Sequence, residues 1–477
     1  MFGDVTFSQI LFNIRTSGID AGIVMAHAKP AIRYILLAAS MIAVIWTGAL
    51  LALRKPRFKD FYLAIKGFII KVVKCLASPR LLVVLLLIAF SVTAVKTVDR
   101  KFQIKRYLKQ EDSPFFADNY ARLDLNDFTH VNGSRQNLII LFLESIEAGF
   151  SEPHAYGTNL IPELSSLREE GLHFEGYRKT PGGYFTIDGI SAQTTGMPIT
   201  QLPMDIHDFK NERLYGGMLN NSPGIFNLLK RDGYETVSFS GISASFTQMR
   251  TFLHNHGIDT PLHKEDWQAQ GFALNDSTRG RWDYCDRFLI ERMKAYLSTP
   301  KDKPFGVLFQ SIDTHFPVGW APDMTKRDGH EKAVRYLDHL IGDFVKWAKT
   351  QPWYENTTIV ILGDHPWQDF ANDFTKRTQQ AKDRSVFNVI LNPVMKHPKV
   401  PACGFTAMDM APTILNAMGV EFTSEFQGEK NHARLGIGTS LFSEEENLVC
   451  RLGADSLTEN VNRFSSFYNG LHMKPNS

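Results

Sequence analysis

Five short, uninterrupted apolar runs punctuate the chain from Gln136 onward: "NLIILFLES", "YETVSFSG", "FGVLFQSID", "TTIVILGDH" and "VFNVILNP". Runs of this length without polar alternation read as strands buried on both faces. Such a strand needs cover above and below. Stretches of helical period between the runs, such as "GIFNLLKRDG" and "AVRYLDHLIGDFVKWAKT", can supply it. The pattern predicts an α/β fold with a mainly parallel sheet sandwiched by helices. No internal repeat or low-complexity segment interrupts it.

Three of the runs stop on groups that bind cations or move protons. The first ends in Glu144-Ser145, the third leads into His315, and the fourth ends in Asp364-His365. Open α/β sheets bind ligands at the carboxyl ends of their strands, so these endings converge on one edge. Two carboxylates and one imidazole suit a divalent cation (Mn²⁺, Zn²⁺ or Mg²⁺) with an open coordination position. A fourth oxygen is available in "KTPGGYFTIDGISAQTTGMP", where a Pro-Gly-Gly turn runs into a helix start at Thr186. A threonine there reads as an N-cap. It also reads as a nucleophile acidified by the cation, with the helix N-terminus holding an attacked phosphate. Taken singly, the Asp-His pair and Glu144 are weak signals; the weight lies in the set.

The chain has 477 residues, 44% hydrophobic and 21% charged, which is enough material for a large core. A net charge of +2 argues against a nucleic-acid partner. Cys75, Cys285, Cys403 and Cys450 are too few and too scattered for a disulfide framework or a zinc motif. A Cys285–Cys403 or Cys403–Cys450 bridge stays open, with free thiols as the expectation.

The N-terminal fifth has a different character. Residues 31–53 and 81–98 are apolar enough to cross a bilayer, which predicts a transmembrane hairpin over 31–98. The loop 54–80 contains "FYLAIKGFIIKVVKCL" and reads as an amphipathic helix on the membrane face. Arg54, Lys55, Arg57 and Lys59 follow the first span, against Arg15 and Lys29 before it. The positive-inside rule then places the loop in the cytoplasm, and the 1–30 tail and everything after residue 98 outside it. Arg100, Lys101, Lys105, Arg106 and Lys109 argue the other way, and the first span is taken to decide. No cleavable signal peptide is expected. Residues 99–134 read as a juxtamembrane linker, 135–455 as the catalytic domain and 456–477 as a C-terminal tail.

In this order, "ESIE", "PGGYFTIDGISAQTTGMP", "SIDTHFP" and "LGDH" resemble the sulfatase-like branch of the alkaline phosphatase superfamily. Within it they are most similar to bacterial phosphoglycerol transferase I and lipoteichoic acid synthase. The likeness runs over about residues 135–445 and includes "FTAMDMAPTILNAMGV" and "LGIGTSLF". It implies that Glu144, Thr186, Asp364 and His365 hold one divalent metal, Mn²⁺ favoured, and that Thr186 is also the nucleophile. His315 would contact the substrate phosphate, stabilising its charge or protonating a leaving oxygen. Trp282 and Asp286, in "GRWDYCD", would lie near the substrate. Phe246 and Arg250, in "SFTQMRTFLHNHGID", would line the head-group pocket, on a looser match.

The implied enzyme is a multi-pass protein of the bacterial inner membrane with a periplasmic catalytic domain. It would move a phosphoglycerol head group from a phospholipid, phosphatidylglycerol favoured, to a glycan or lipopolysaccharide acceptor. Alternatives are a phosphoethanolamine transferase, a phosphodiesterase that passes the intermediate to water, and a binding protein on a retired catalytic fold. Two departures bear on the choice. Asp188 replaces a small residue close to Thr186 and Asp283 replaces a glycine. An acid facing the phosphate site would favour a cationic head group. A true sulfatase needs Cys or Ser in a C/S-x-P-x-R context; the look-alike "CLASPR" at Cys75 is wrongly spaced, and Thr186 holds the nucleophile position.

Overall fold

The computed structural model describes residues 90–93, 96–97, 111–199, 218–316, 319–324, 329–368 and 372–473. Contacts divide the chain into two compact units, and the described residues from 111 to 473 all fall in the larger one. The expected span 31–53 and the amphipathic loop 54–80 lie outside the described residues, as does most of the span 81–98. Among the described residues no helix is long and apolar enough to cross a membrane.

The larger unit is built on a six-stranded sheet in the order β4-β3-β5-β2-β6-β7. Its strands are β2 (Asn137–Leu143), β3 (Glu235–Phe239), β4 (Thr260–Leu262), β5 (Phe305–Gln310), β6 (Thr357–Gly363) and β7 (Asn388–Leu391). Neighbours pair in parallel except β6 and β7, which are antiparallel. All five apolar runs are strands, and the sheet is mainly parallel as expected.

Successive residues of the central strands feed two separate cores. Leu138, Ile140 and Phe142 of β2, with Val360 and Leu362 of β6, join one cluster. Ile139, Leu141 and Leu143, with Ile359 and Ile361, join the other. Helices cover both faces. On the second face, α1 (Pro162–Glu170), α4 (Asp286–Leu297) and α5 (His330–Ala348) supply Leu164, Leu289 and Leu337. On the first, α2 (Thr186–Thr195), α3 (Ile225–Arg231) and α6 (Met410–Ala417) supply Ile190, Leu228 and Ile414. This double cover is why β2 and β6 are buried along their whole length.

Three expectations change. Residues 99–134 were expected as a linker, yet β1 (Ala121–His130) pairs antiparallel with β8 (Val420–Phe426) in a second sheet that β9 (Glu429–Asn431) completes. Burial alternates along the start of β1, with Ala121 and Leu123 inward and Arg122 and Asp124 outward. The stretch looked polar because only one face is packed. Residues 456–477 were expected as a tail, yet Tyr468 is fully buried and its hydroxyl donates to Pro198 O at 2.7 Å. The C-terminal residues therefore brace the chain just beyond α2. Finally, Cys403 and Cys450 form a disulfide across 47 residues, against the expectation of free thiols. Cys285 is free and buried, and burial pushes its thiol up to about 11.

Candidate active site

Strands β5, β2 and β6 are neighbours, so their carboxyl ends lie side by side. Leaving β2, the Glu144 N–H donates to Ser311 Oγ at 2.8 Å, and Thr314 Oγ1 donates to Glu144 O at 2.6 Å. The β2 and β5 exits are thus tied together. The β6 exit joins through Asp364, whose Oδ1 accepts the N–H groups of Ser145 and His365, both at 2.8 Å. Ser145 takes a left-handed backbone conformation, φ 57°, to make this turn. Such strain in a non-glycine residue persists where surrounding bonds over-determine it.

Glu144, Asp364 and His365 converge, with one donor atom from each lying within 4.8 Å of the others. All three are buried. His365 Nδ1 lies 2.9 Å from Pro366 O, which can only accept, so Nδ1 carries the proton. Nε2 is left as the lone-pair nitrogen, 3.5 Å from Glu144 Oε1 and 3.7 Å from Asp364 Oδ2. Asp364 Oδ2 is buried and has no hydrogen-bond partner. Burial, and after it the charge of Glu144, pushes the Asp364 carboxyl well above the usual range. Burial pushes Glu144 the same way. The charge of protonated His315, with the hydrogen bond from Ser145 as a lesser cause, opposes it and leaves Glu144 depressed. Two crowded carboxylates, one of them with an orphaned oxygen, and an imidazole offering its lone pair form a donor set that fits a divalent cation.

Thr186 joins this cluster from α2. It is the first helical residue, and extended Phe185 occupies the N-cap without a side-chain cap bond. The Thr186 hydroxyl does not cap the helix; Oγ1 donates to Glu144 Oε2 at 3.1 Å. The face of α2 below it explains the placement. Gly189, three residues on, lies against the backbone of Asp364, where a Cβ would sit 1.9 Å from the carbonyl oxygen. Gln193, seven residues on, donates Nε2 to Gly363 O at 3.2 Å and Asp364 O at 3.3 Å. One helical stripe, Thr186-Gly189-Gln193, therefore docks α2 on the loop that carries two of the acceptor groups. Sequence reasoning missed Gly189 and Gln193, although their i, i+3, i+7 spacing from Thr186 is the available signal.

His315 follows β5. Its Nδ1 donates to Phe316 O at 2.7 Å, leaving Nε2 for another partner. The Trp282 ring meets it edge-on at 5.2 Å, and the buried Trp282 Nε1 has no hydrogen-bond partner. His315 and Trp282 are thus brought together, and His315 is close enough for its charge to act on Glu144.

The remaining expected site residues are placed differently. Both Asp286 oxygens are taken by loop N–H groups, from Ile312 at 2.8 Å and Asp313 at 3.0 Å. Asp286 holds the loop that leads to His315 and offers no oxygen to a substrate. Burial raises its carboxyl to about 7. Arg250 is ion-paired with Asp266, and Phe246 opens the 3-10 turn Phe246–Gln248. Neither is bonded to the Glu144 cluster among the described residues. Asp188 faces away from the cluster: Oδ2 accepts from Gly182 N at 2.8 Å and Tyr184 N at 3.2 Å, and Oδ1 from Ile199 N at 2.8 Å. It ties the Pro-Gly-Gly turn to the far end of α2. Asp283 pairs with Lys264 at 2.7 Å. "CLASPR" lies outside the described residues.

The sequence profile of the sulfatase family matches residues 136–420, which include every residue of the cluster. Phosphoglycerol transferase I of Salmonella choleraesuis (strain SC-B67) is 25% identical over 354 residues, covering 71% of this chain and 44% of that protein. The Salmonella typhimurium protein of the same name aligns with the same identity and coverage. This chain spans less than half the length of these curated relatives. Among solved structures, the lipoteichoic acid synthase LtaP from Listeria monocytogenes matches 74% of this chain and 97% of its own, with TM-score 0.51 and 17% identity. That likeness is one of fold. The profile match takes in more than half of the chain, and the chain belongs to the sulfatase family.

Proposed function

We propose that this chain is a metal-dependent phosphotransferase of the cell envelope. It would move a phosphoglycerol-type head group from a membrane phospholipid, phosphatidylglycerol favoured, to a glycan or lipopolysaccharide hydroxyl. The observation that carries the reading is the Thr186 hydroxyl, held 3.1 Å from Glu144 at the start of α2 and inside the Glu144-Asp364-His365 cluster. The relatives named phosphoglycerol transferase I support the head group. Asp188, turned into its own loop, and Asp283, paired with Lys264, weaken the two departures that favoured a cationic head group.

Glu144, Asp364 and His365 would hold the cation, Mn²⁺ favoured and Zn²⁺ or Mg²⁺ fitting the same donors. When bound, it supplies the Lewis acidity that makes the Thr186 hydroxyl easier to deprotonate. The Thr186 proton passes to Glu144 Oε2, to which the hydroxyl already donates at 3.1 Å. Thr186 Oγ1 forms a bond to the lipid phosphorus while the bond from phosphorus to the diacylglycerol oxygen breaks. Protonated His315 Nε2 donates to that leaving oxygen, and diacylglycerol departs as the alcohol. A phospho-threonine diester remains. In the second half, neutral His315 takes the proton of an acceptor hydroxyl, whose oxygen bonds to phosphorus as the bond from phosphorus to Thr186 Oγ1 breaks, and Oγ1 recovers its proton from Glu144. The N-terminal N–H groups of α2 face the anionic phosphate throughout. The Cys403–Cys450 bridge supports a periplasmic setting, because such bonds persist in oxidising compartments.

The test is the intact mass of the purified full chain after exposure to phosphatidylglycerol or phosphatidylethanolamine, with Mn²⁺ and no acceptor. A head-group adduct on Thr186 is expected, and its mass names the donor. Undiminished lipid turnover by Thr186→Ala would overturn the covalent route. Full turnover in excess chelator would overturn the metal.

A further inference from the structure

Three residues after Glu144, the motif "ESIE" carries a second acid that the reaction above does not use. Glu147 is completely buried. Its carboxylate takes a two-pronged contact from Arg384, Nε to Oε2 at 2.5 Å and an Nη nitrogen to Oε1 at 2.8 Å. Oε1 also accepts the Trp367 N–H at 2.7 Å, and the same Arg384 Nη donates to Trp367 O at 3.1 Å. Both backbone groups of Trp367 are therefore held by one ion pair. Trp367 lies two residues beyond His365, and Glu147 lies three beyond Glu144.

The main chain repeats this stitching. Phe387 N donates to Ile146 O at 2.9 Å, Ala148 N to Ser385 O at 2.9 Å, and Gly363 N to Phe387 O at 2.7 Å. The β2 exit, the β6 exit and the approach to β7 are thereby locked at the level of the cluster. Glu147 with Arg384 adds a charged cross-link at this level, with the Glu147 carboxylate fully buried.

We propose that Glu147 and Arg384 form a positioning clasp that sets the separation between Glu144 and the Asp364-His365 pair, and so sets cation affinity. The proposal rests on reading those three residues as cation ligands. An arginine fork fixes both distance and plane, which a single charge does not. Residues that orient ligands without touching the ion typically change metal affinity by about 10–100-fold when altered.

The experiment measures the Mn²⁺ dissociation constant of the full chain in detergent, by electron paramagnetic resonance of free Mn²⁺, with no lipid and no turnover. The variants are Glu147→Gln, Arg384→Gln and the double variant. Asp338→Asn is the structural control, since Asp338 holds the N-terminus of α1 through Leu164 N at 2.8 Å and Glu163 N at 3.1 Å, away from the cluster. Each single variant is expected to weaken Mn²⁺ binding by about 10–100-fold. The double variant is expected to be no weaker than the worse single, because the two residues act as one unit. Asp338→Asn should lower the melting temperature and leave Mn²⁺ affinity alone. Folded single variants with affinity within twofold of wild type would overturn the clasp. If Glu147→Gln does not fold, Arg384→Lys, which keeps the charge and loses the fork, is read by the same criterion. A wild-type chain that binds no Mn²⁺ would remove the cation site itself, and the clasp with it.

Discussion

Gly189→Ala tests whether the docking of α2 on the Asp364 loop is what aims Thr186. A Cβ at residue 189 would lie 1.9 Å from Asp364 O and 2.8 Å from Asp364 C. Carbon and oxygen normally stay about 3.3 Å apart, so α2 and the loop must separate by about 1.4 Å. Both contacted atoms are backbone, and neither can rotate out of the way. Two effects then compete in stability. Alanine in a helix interior gains about 1 kcal/mol over glycine, while overpacking costs about 1–3 kcal/mol. The net loss is at most about 2 kcal/mol, too little to unfold a domain of this size. Activity has no such compensation. A misplacement of about 1 Å costs about 100-fold, equal to about 2.7 kcal/mol of barrier. Under the proposed reaction, the expected variant is folded, melts close to wild type, and releases diacylglycerol from phosphatidylglycerol about 100-fold more slowly. Gln193→Ala, which removes the bonds to Gly363 O and Asp364 O without adding bulk, should lose less. A folded Gly189→Ala enzyme with turnover within threefold of wild type would refute the argument that this contact sets the nucleophile.

Other outcomes follow from single contacts. Asp188→Asn keeps the shape but turns one acceptor into a donor, facing either Ile199 N or the Gly182 and Tyr184 N–H pair. A buried opposition of that kind costs about 1–3 kcal/mol, read by urea unfolding. Burial holds His472 down to about 3, with the charge of His256 as a lesser cause, and burial holds His256 down to about 4. Each is neutral when folded and protonates near 6.5 when unfolded, so its contribution is complete above pH 6.5 and lost as pH falls toward 4 for His256 and toward 3 for His472. Each contributes up to about 1.4 kcal/mol per pH unit in that window. His472→Asn keeps an acceptor for Leu219 N, now 3.2 Å away, and should flatten the difference curve below pH 6.5. An unchanged pH dependence would remove His472 from that account. Reducing Cys403–Cys450 opens a 47-residue separation, worth about 4 kcal/mol on the chain-entropy estimate. The melting temperature under dithiothreitol, compared with Cys450→Ser, checks it.

The central sheet was legible because a strand buried on both faces cannot hide its composition. Strand β4 escaped because its three residues, Thr260–Leu262, carry no period and include a proline. β1 escaped for the opposite reason. Its alternation was present, but Arg122, Asp124 and Asn126 outweighed Ala121 and Leu123 in a reading by polarity. The disulfide was one of two pairings the sequence left open, with free thiols expected, and nothing in the sequence chose it, since two cysteines 47 residues apart meet only through the fold.

For the site, residue type at a strand end marked the groups that can hold a cation, but not the direction in which a carboxylate points. Asp188 and Asp286 look like site acids in one dimension. In three, backbone N–H groups consume every oxygen they have. Asp364 is the instructive contrast: Oδ1 is satisfied twice by N–H groups, and Oδ2 is buried with nothing to accept. What separates a candidate cation ligand from a structural acid is therefore an oxygen that no backbone N–H or arginine has taken, as in Asp364 and in Glu144, whose oxygens accept from the hydroxyls of Ser145 and Thr186. By the same measure Glu147 is structural, with both oxygens engaged, and its influence on the cluster can only pass through Arg384 and the backbone of Trp367.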